Sequence, residues 1–243
     1  MPAATDRKLL TARLLRSVDL HQETKHLEFE VAETRNFEFT AGQFISMRAE
    51  KDGREVTRAY SIASAPRGNN RFDLCLNRVE MGFFSNYLCD MSEGAEVKFH
   101  GPHGYFVLRN PLRDSLFIAT GTGIAPMRGF LQWLFADSAR HAGRQLWLMF
   151  GARYRNALYY DEEFRAWELQ FPNFHYTPTL SREGPDWQGA RGYVQEHVRQ
   201  LAQGRTDMDA YICGLKDMVI TNRKLLIDEL AWEKKSVMFE RFD

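Results

Sequence analysis

The sequence predicts two domains, an antiparallel six-stranded β-barrel over residues 1–111 and an α/β domain with a doubly wound parallel sheet over 112–243. Two observations support this division. Residues 8–100 contain short β-rich runs separated by polar or glycine-containing turns, which is typical of a small antiparallel barrel. Beyond Asn110-Pro111-Leu112, a sequence typical of a linker, apolar strands alternate with helical segments and therefore predict parallel βαβ units.

The composition is that of an ordinary globular protein and excludes several classes of function. Hydrophobic residues make up 44% of the chain, and 32 basic residues balance 32 acidic ones. Because there is no net charge, nothing indicates binding to nucleic acid or to an anionic membrane surface. No apolar run reaches the roughly 18 residues of a membrane-spanning helix. Residues 1–6 do not resemble a signal peptide, so we expect a cytoplasmic protein. We also expect a monomer.

Three cysteines lie far apart in the sequence, at Cys75, Cys89 and Cys213. Their spacing excludes a local CxxC zinc site and the four-cysteine pattern of an iron–sulfur cluster, so we expect no metal centre. Cys75 and Cys89 are expected in the core, because a free cysteine behaves as a small hydrophobic residue.

The elements of each domain follow from residue type and periodicity. The predicted barrel strands are 8–16, 27–31, 43–49, 56–63, 71–76 and 96–100. The predicted strands of the second domain are 115–120, 145–150, 174–180, 210–213 and 236–239, and its predicted helices are 126–135, 162–169, 195–203 and 218–230. In such a sheet a ligand binds beyond the carboxyl ends of the strands, so the loops that follow strands are the ones to inspect for function.

The segment 58–64 alternates polar and apolar residues, as a half-buried strand does. It presents an arginine, a tyrosine and a serine from one rigid element. Tyr60 can lie against a flat ring system, Ser61 can hydrogen-bond a ring heteroatom, and Arg58 can bind a phosphate. The alternative is an ordinary barrel strand with an exposed arginine.

A short helix is predicted over 86–91, preceded by Gly82-Phe83-Phe84-Ser85. Backbone N–H groups at a helix N-terminus attract anions, and Ser85 adds a hydroxyl, so this segment is a candidate pyrophosphate site. The alternative is a surface helix that Ser85 merely caps.

Two loops of the second domain carry nucleotide-binding signals. The first is Gly121-Thr122-Gly123-Ile124-Ala125-Pro126, where the glycines allow close approach of a dinucleotide and Pro126 suits the first helical position. Pro126 replaces the third glycine of GxGxxG, so the Rossmann fingerprint is not met as such. A plain tight turn between strand and helix is the alternative.

The second loop follows the third strand of this domain. A serine hydroxyl, two guanidinium groups and a phenol are suited to a phosphate monoester beside adenine, and they are supplied by Ser181, Arg182, Arg191 and Tyr193. They favour the 2′-phosphate of NADP over a bare ribose, which a carboxylate normally binds. A solvated polar loop remains the alternative.

The last two features are a cysteine and the end of the chain. Cys213 stands at the carboxyl end of a predicted strand, where packing against a cofactor ring is favoured because no His or Asp partner is placed for nucleophilic or metal chemistry. Glu240 and Phe242 lie on the same side of an extended tail, which is unusual for a frayed terminus.

Together these motifs resemble the plant-type ferredoxin–NADP reductase family, in the family's order and through nearly the whole chain. Segment 58–64 is similar to the family's flavin-binding RxYSxxS motif, and 82–90 is similar to its FAD-pyrophosphate helix. Segment 121–126 resembles its NADP loop, 213–216 its nicotinamide-side cysteine, and 240–242 its terminal acid-x-aromatic.

The resemblance implies FAD and NADP as cofactors and a set of site residues. The implied cofactor-binding residues are Arg58, Ala59, Tyr60, Ser61, Leu76, Gly82, Phe83, Phe84, Ser85, Thr122, Gly123, Ser181, Arg182, Arg191, Tyr193 and Phe242. The implied catalytic residues are Ser61, Cys213, Glu240 and Phe242. Ser61 and Glu240 would manage the proton that accompanies flavin reduction, Cys213 would pack beside the nicotinamide, and Tyr60 and Phe242 would cover the two flavin faces.

The resemblance also implies an activity and a partner. We expect an FAD-dependent enzyme that moves hydride between NADP(H) and flavin and exchanges single electrons with a separate ferredoxin or flavodoxin, since no cluster-binding cysteines are present. The alternatives are a general NAD(P)H:flavin or oxygenase reductase and a non-catalytic nucleotide-sensing module. Three features depart from the family pattern. Asn77 replaces a usual lysine, Asp243 follows the terminal aromatic Phe242, and the flavin domain has no excess of basic residues to attract an acidic ferredoxin.

Overall fold

The computed structural model describes residues 9–242, and the tertiary contacts divide the chain into two compact units. The first unit ends at Val107 and also contains Arg128–Trp133. The second contains Leu108–Met127 and the chain from Leu134 onward. The first change of unit therefore falls four residues before the predicted domain boundary at 111.

The first unit is a six-stranded antiparallel sheet in the order β4-β3-β6-β1-β2-β5. Its strands are β1 (Leu10–His21), β2 (Thr24–Val31), β3 (Phe44–Lys51), β4 (Arg54–Ser61), β5 (Arg71–Asn77) and β6 (Glu96–His103). An antiparallel bridge between Ile62 and Leu74 joins the two edges of the sheet and closes the barrel. Each predicted barrel strand is confirmed, although the predicted start at Lys8 lies outside the described residues.

Aromatic side chains fill the barrel. Phe72 lies 5.5 Å from both Phe29 and Phe99, measured between ring centroids, and Phe37 packs edge-on against Phe99 at 5.6 Å. All four are buried, and removing a side chain of this size from water contributes about 1.5–3 kcal/mol. The barrel is therefore a filled core, and any ligand of this unit must bind on its outside.

One short helix, α1 (Phe83–Cys89), interrupts the barrel between β5 and β6. It starts three residues before the predicted start at 86, because Gly82 takes the N-cap position in an extended conformation. Leu88 and Cys89 pack in the barrel core, and Cys75 is buried on the opposite face of β5 from the core residues Leu74 and Leu76, so both cysteines are buried as expected.

The second unit is a parallel sheet in the order β10-β9-β8-β7-β11-β12. Its strands are β7 (Ser115–Thr120), β8 (Leu146–Ala152), β9 (Phe174–Leu180), β10 (Ala190–Arg191), β11 (Asp209–Leu215) and β12 (Val237–Phe242). The chain builds outward from β7 to β10 on one side and through β11 to β12 on the other. Its direction of winding therefore reverses between β7 and β11, which is where open α/β sheets bind ligands.

The helices of this part of the chain are α2 (Ile124–Phe135), α3 (Asp161–Gln170), α4 (Val194–Ala202) and α5 (Lys216–Lys224). Pro126 is the third residue of α2, and the prediction that it occupies the first helical position is wrong. The first turn still tolerates proline there, because its N–H groups have no intrahelical acceptor. After α5 the chain continues as one π-helical segment, Leu225–Glu229, within the predicted helix 218–230.

Among residues 9–242, no helix combines the length and the apolar character needed to cross a membrane. Within the same range, no group of three or more His, Cys, Asp or Glu side chains is placed to hold a metal ion.

Candidate active site

The predicted flavin-binding residues of the first unit lie at the end of β4, an edge strand of its sheet. Tyr60 pairs with Ile45 of β3, and its ring is half-buried, with its centroid 6.3 Å from that of Phe84 on α1. Burial is the main cause that raises the pKa of the Tyr60 phenol, so this group stays protonated at neutral pH. Tyr60 can therefore offer a neutral ring and a hydroxyl to a planar ligand.

The neighbours of Tyr60 differ in exposure. Ser61 is buried, whereas Arg58 and Ala59 are exposed. Among residues 9–242, the Arg58 guanidinium hydrogen-bonds only the Thr57 carbonyl, at 3.4 Å, and the side chain is exposed to solvent. Leu76 is 2% exposed and belongs to the barrel core, so contact with a cofactor would fall to its main chain.

The start of α1 is built around a glycine. A Cβ at Gly82 would lie 2.8 Å from Ser85 Oγ and 3.0 Å from Val79 Cβ, so only glycine fits without a shift. Ser85 Oγ accepts a hydrogen bond from the Val79 N–H at 3.0 Å and donates to the Gly82 carbonyl at 3.4 Å. Ser85 therefore fixes the preceding turn, and its side chain does not cap the helix.

An ion pair fastens this turn to the helix it precedes. Arg78 donates to both carboxylate oxygens of Asp90, at 2.5 and 3.2 Å, and to Asn86 Oδ1 at 2.7 Å. The N–H groups of the first turn of α1 are thereby held in a fixed direction, and they have no intrahelical acceptor. Asn77, which replaces the usual lysine, accepts a hydrogen bond from the Thr24 hydroxyl at 2.6 Å.

In the second unit, the loops after β7 and β11 approach each other at the backbone level. A Cβ at Gly123 would lie 2.2 Å from the Cys213 carbonyl oxygen, and a Cβ at Gly214 would lie 2.6 Å from Thr120 Oγ1. Thr120 Oγ1 is buried and makes no hydrogen bond within the described residues. An unsatisfied hydroxyl is costly in a folded protein, so the place between the two strand ends fits a polar ligand group. Thr122, in the same loop, is partly exposed.

Cys213 is fully buried on β11, where it pairs with Ala119 on one side and Glu240 on the other. Burial, and then the charge of Glu240, raise the pKa of the Cys213 thiol well above its ordinary value. The thiol therefore stays protonated and acts through its size and position rather than as a nucleophile.

The two predicted residues at the end of the chain belong to β12. Glu240 and Phe242 are partly exposed and lie on the same face of this strand, as the sequence predicts. Phe242 pairs with Leu215 in the register of the parallel sheet. Asp243 lies outside the described residues.

The predicted 2′-phosphate residues Ser181 and Arg182 extend the pairing of β9 with β8. The Ser181 N–H donates to the Ala152 carbonyl at 3.0 Å, and the Arg182 N–H donates to the Arg153 carbonyl at 2.9 Å. Arg182 and Arg153 are both exposed, and neither side chain makes a hydrogen bond or ion pair within the described residues. Sequence reasoning missed Arg153. Only its position at the end of a strand that pairs with β9 could have indicated it.

Arg191 binds the main chain of the neighbouring loop. Its guanidinium donates to the carbonyls of Glu183, Gly184, Pro185 and Trp187, at 2.7–3.1 Å. In the structure Arg191 therefore shapes the loop that follows Arg182, and no hydrogen bond of its Nε is seen in the described part of the chain. Tyr193, just beyond, is 61% exposed and presents its ring to solvent.

Glu183 holds the same loop from the other side. Its carboxylate accepts hydrogen bonds from the Arg155 N–H at 2.6 Å and from the Gly184 N–H at 3.2 Å. These two bonds lower the pKa of Glu183. Each oxygen of this carboxylate therefore already accepts a hydrogen bond from the backbone.

The residues present fit the two cofactors that the motifs imply. The first unit offers a neutral aromatic ring beside a turn that admits only glycine, which suits a flavin and its diphosphate. The second unit offers two tightly packed glycine loops, together with a hydroxyl and two arginine side chains that have no partner among residues 9–242, which suit a phosphorylated dinucleotide.

Comparison with known proteins agrees with this assignment. Residues 11–108 match the family model for the oxidoreductase FAD-binding domain, and residues 117–224 match that for the oxidoreductase NAD-binding domain. The chain is 42% identical to ferredoxin–NADP reductase B of Sorangium cellulosum over 240 residues, covering 96% of this chain and 97% of that protein.

Two further relatives extend the comparison. The chain is 31% identical to the phenol 2-monooxygenase reductase component DmpP of Pseudomonas sp., covering 93% of this chain and 63% of that longer protein. The crystal structure of the Amycolatopsis cytochrome P450 reductase GcoB superimposes with a TM-score of 0.85 at 27% identity, covering 97% of this chain and 70% of that one. The site geometry, the two family models and the 42% identity over nearly the full length of both chains agree. The chain therefore belongs to the ferredoxin–NADP reductase family of flavoenzymes, with an FAD-binding and an NAD(P)-binding domain.

Proposed function

We propose that this protein oxidises or forms NADPH by hydride exchange with FAD and passes electrons singly to or from a ferredoxin- or flavodoxin-type carrier. The 42% sequence identity to a ferredoxin–NADP reductase, over 96% of this chain, supports the reaction. The observation that carries the choice of NADPH is a pair of arginines, Arg153 and Arg182, at the adjoining ends of β8 and β9. Neither has a side-chain partner in the described part of the chain.

When bound, FAD supplies the ring that accepts and releases hydride, and the chain supplies position and proton control. Tyr60 would hold one face of the ring. Ser61 would hydrogen-bond the reacting edge, and Glu240 would exchange the accompanying proton with solvent, because it is ionisable and partly exposed. Cys213 would limit the space beside the nicotinamide, since its protonated thiol is fixed in the strand.

The preference for NADPH follows from charge. A 2′-phosphate carries about two negative charges and matches guanidinium donors, whereas a bare ribose needs a carboxylate acceptor. The nearby carboxylate, Glu183, is occupied by backbone N–H groups. A hydrogen bond to a charged group contributes about 1.5–3 kcal/mol, so each arginine would favour NADPH by about 10- to 100-fold.

The test is anaerobic stopped-flow reduction of the FAD-loaded protein by NADPH and by NADH. Arg182→Ala and Arg153→Ala should raise the NADPH concentration needed for half-maximal reduction by about 10-fold or more, with little effect on NADH. Arg144→Ala is the matched control, because Arg144 is exposed just before the opposite end of β8. Equal use of both nucleotides by the unaltered protein, with no effect of either variant, would contradict the NADPH assignment.

A second function is favoured by the similarity to the phenol 2-monooxygenase reductase component over 93% of this chain. A reductase of that type would deliver electrons to an oxygenase system rather than to a free ferredoxin. Measured turnover with purified ferredoxin, with flavodoxin and with free flavin separates the two. Saturable reduction of a carrier protein supports the first function, and comparable rates with free flavin alone support the second.

A further inference from the structure

A buried carboxylate of the first unit lies on β5, beside the residues that follow the predicted flavin-binding strand β4. Asp73, on β5, is 2% exposed, and Arg67 donates to its two oxygens at 3.1 and 2.6 Å. Arg128 donates to the same carboxylate at 3.3 Å, and His26 Nε2 lies 3.8 Å from it. We refer to Asp73, Arg67 and Arg128 as the Asp73 cluster.

Such a cluster is weak evidence for stability. Removing a carboxylate from water is costly, and its ion pairs offset this cost only in good geometry, so an apolar replacement is often as stable. The cluster therefore calls for a role beyond holding the barrel together. Its contacts with the main chain indicate which role.

These contacts converge on the residues that directly follow Ser61. The Ala63 N–H donates to the Asp73 carbonyl at 2.7 Å, and the Asp73 N–H donates to Ser64 Oγ at 3.0 Å. Arg128 Nη1 donates to the Ala63 carbonyl at 2.8 Å. Each of these bonds ends on Ala63 or Ser64, within three residues of Ser61.

The helical segment Arg128–Trp133 adds a second fastening from within the same unit. Gln132 accepts a hydrogen bond from the Ala65 N–H at 3.1 Å. A Cβ at Gly129 would lie 3.0 Å from the Ser64 carbonyl oxygen, so the helix backbone approaches the segment closely. β4 has one full sheet neighbour, β3, and the chain just beyond it meets β5 only through the short bridge at Ile62, so the cluster adds to the constraint on this segment.

We propose that Asp73 and Arg128 are positioning residues that fix segment 62–65 and thereby set the orientation of Ser61 and Tyr60 toward the flavin. This inference rests on the proposed placement of the flavin at Ser61 and Tyr60. It assigns the cluster to the geometry of hydride transfer, with no direct contact to either cofactor.

The experiment compares full-length Asp73→Asn and Arg128→Met with the unaltered protein. Arg128→Met leaves the pair of hydrogen bonds between Arg67 and Asp73 in place, and it keeps the test valid if Asp73→Asn folds poorly. The matched control is Asp209→Asn, because Asp209 is fully buried in the second unit and pairs with two arginines, Arg109 and Arg113, at 3.4 and 3.3 Å.

Four measured quantities distinguish a positioning role from a general loss of stability. Amide hydrogen exchange of residues 62–65, measured without nucleotide, should become about 10-fold faster in both cluster variants. FAD should dissociate about 10-fold more readily with a changed visible spectrum, and hydride transfer should slow by about 10- to 100-fold while the NADPH dissociation constant stays the same. Asp209→Asn should shift the melting temperature and leave all of these values unchanged.

The proposal is overturned if the cluster variants change only the melting temperature, as the control does. It is also overturned if the exchange of 62–65 quickens while the flavin spectrum, FAD affinity and hydride transfer stay the same. Failure of the proposed function would look different, because the unaltered protein would then bind no FAD or would not be reduced by NADPH.

Discussion

Gly123→Ala should slow the reduction of the flavin by NADPH and leave FAD binding unchanged. The added Cβ would lie 2.2 Å from the carbonyl oxygen of Cys213 and 2.6 Å from the Cα of Gly214. Both are backbone atoms in the centre of a parallel sheet, so neither can rotate away. Contacts of a real Cβ essentially never fall under 3.0 Å, and the two loops must therefore separate by at least 3.0 − 2.2 = 0.8 Å.

This separation should lower both the stability of the protein and the rate of flavin reduction. Overpacking of this kind costs about 1–3 kcal/mol of unfolding free energy. A displacement of about 1 Å near reacting groups can cost about 100-fold in rate. We therefore expect stopped-flow flavin reduction by NADPH to slow by about 100-fold, with FAD content unchanged because FAD belongs to the first unit.

Gly184→Ala is the control for this prediction. Gly184 has no atom within 4 Å of its added Cβ and no positive φ, so the same chemical change is free of strain there. If Gly123→Ala is reduced by NADPH at the unaltered rate and melts at the unaltered temperature, the steric reasoning is refuted.

Three further outcomes are expected. Because burial raises the pKa of the Cys213 thiol, the rate of flavin reduction should not rise as the pH approaches 9.0, the ordinary thiol pKa. A rise in rate near pH 9.0 that Cys213→Ser abolishes would contradict this expectation. Glu183 has a lowered pKa in the folded protein, because its carboxylate accepts the Arg155 N–H. The stabilisation from this hydrogen bond is therefore fully present above the ordinary pKa of 4.5 and is lost as the pH falls through the lowered pKa. Glu183→Ala should therefore weaken NADPH binding several-fold at pH 7, measured by titration of flavin absorbance, and an unchanged affinity would argue against a loop-holding role. Arg78→Ala breaks the double hydrogen bond to Asp90 and frees the turn before α1, so FAD should dissociate several-fold faster with NADPH affinity unchanged, as dilution fluorescence would show.

The sequence predicted the order and type of the long elements because their periodicity is local. Alternation placed the six barrel strands, and the change of period placed the parallel sheet. The two-residue strand β10 was not foreseen, since a strand of that length has no pattern and is defined by the pairing of Ala190 and Arg191 with the end of β9. The position of Pro126 was misjudged because the helix begins directly after the short 3₁₀ turn Gly121–Gly123.

Individual roles in the site were harder to predict than its position. The contacts of Arg191 with four main-chain carbonyls could not be predicted, because a sequence does not show which carbonyls a guanidinium will reach; its role as a phosphate ligand stays a prediction. Arg153 was missed for the opposite reason, because its neighbourhood with Arg182 arises from strand pairing across 29 residues. Side-chain chemistry indicates which residues can bind a ligand, and the fold decides which of them are available.

The inclusion of residues 128–133 in the first unit means that the barrel is not a contiguous module. Phe130 packs on Phe106 with ring centroids 5.5 Å apart, and Arg128 binds Asp73 across 55 residues of sequence. A fragment ending at residue 111 would lack both partners, and a chain growing on the ribosome cannot complete its barrel until the start of the next domain has emerged. Any exchange of nucleotide domains between such enzymes, by recombination or by engineering, must therefore carry this helical segment along with the barrel it completes.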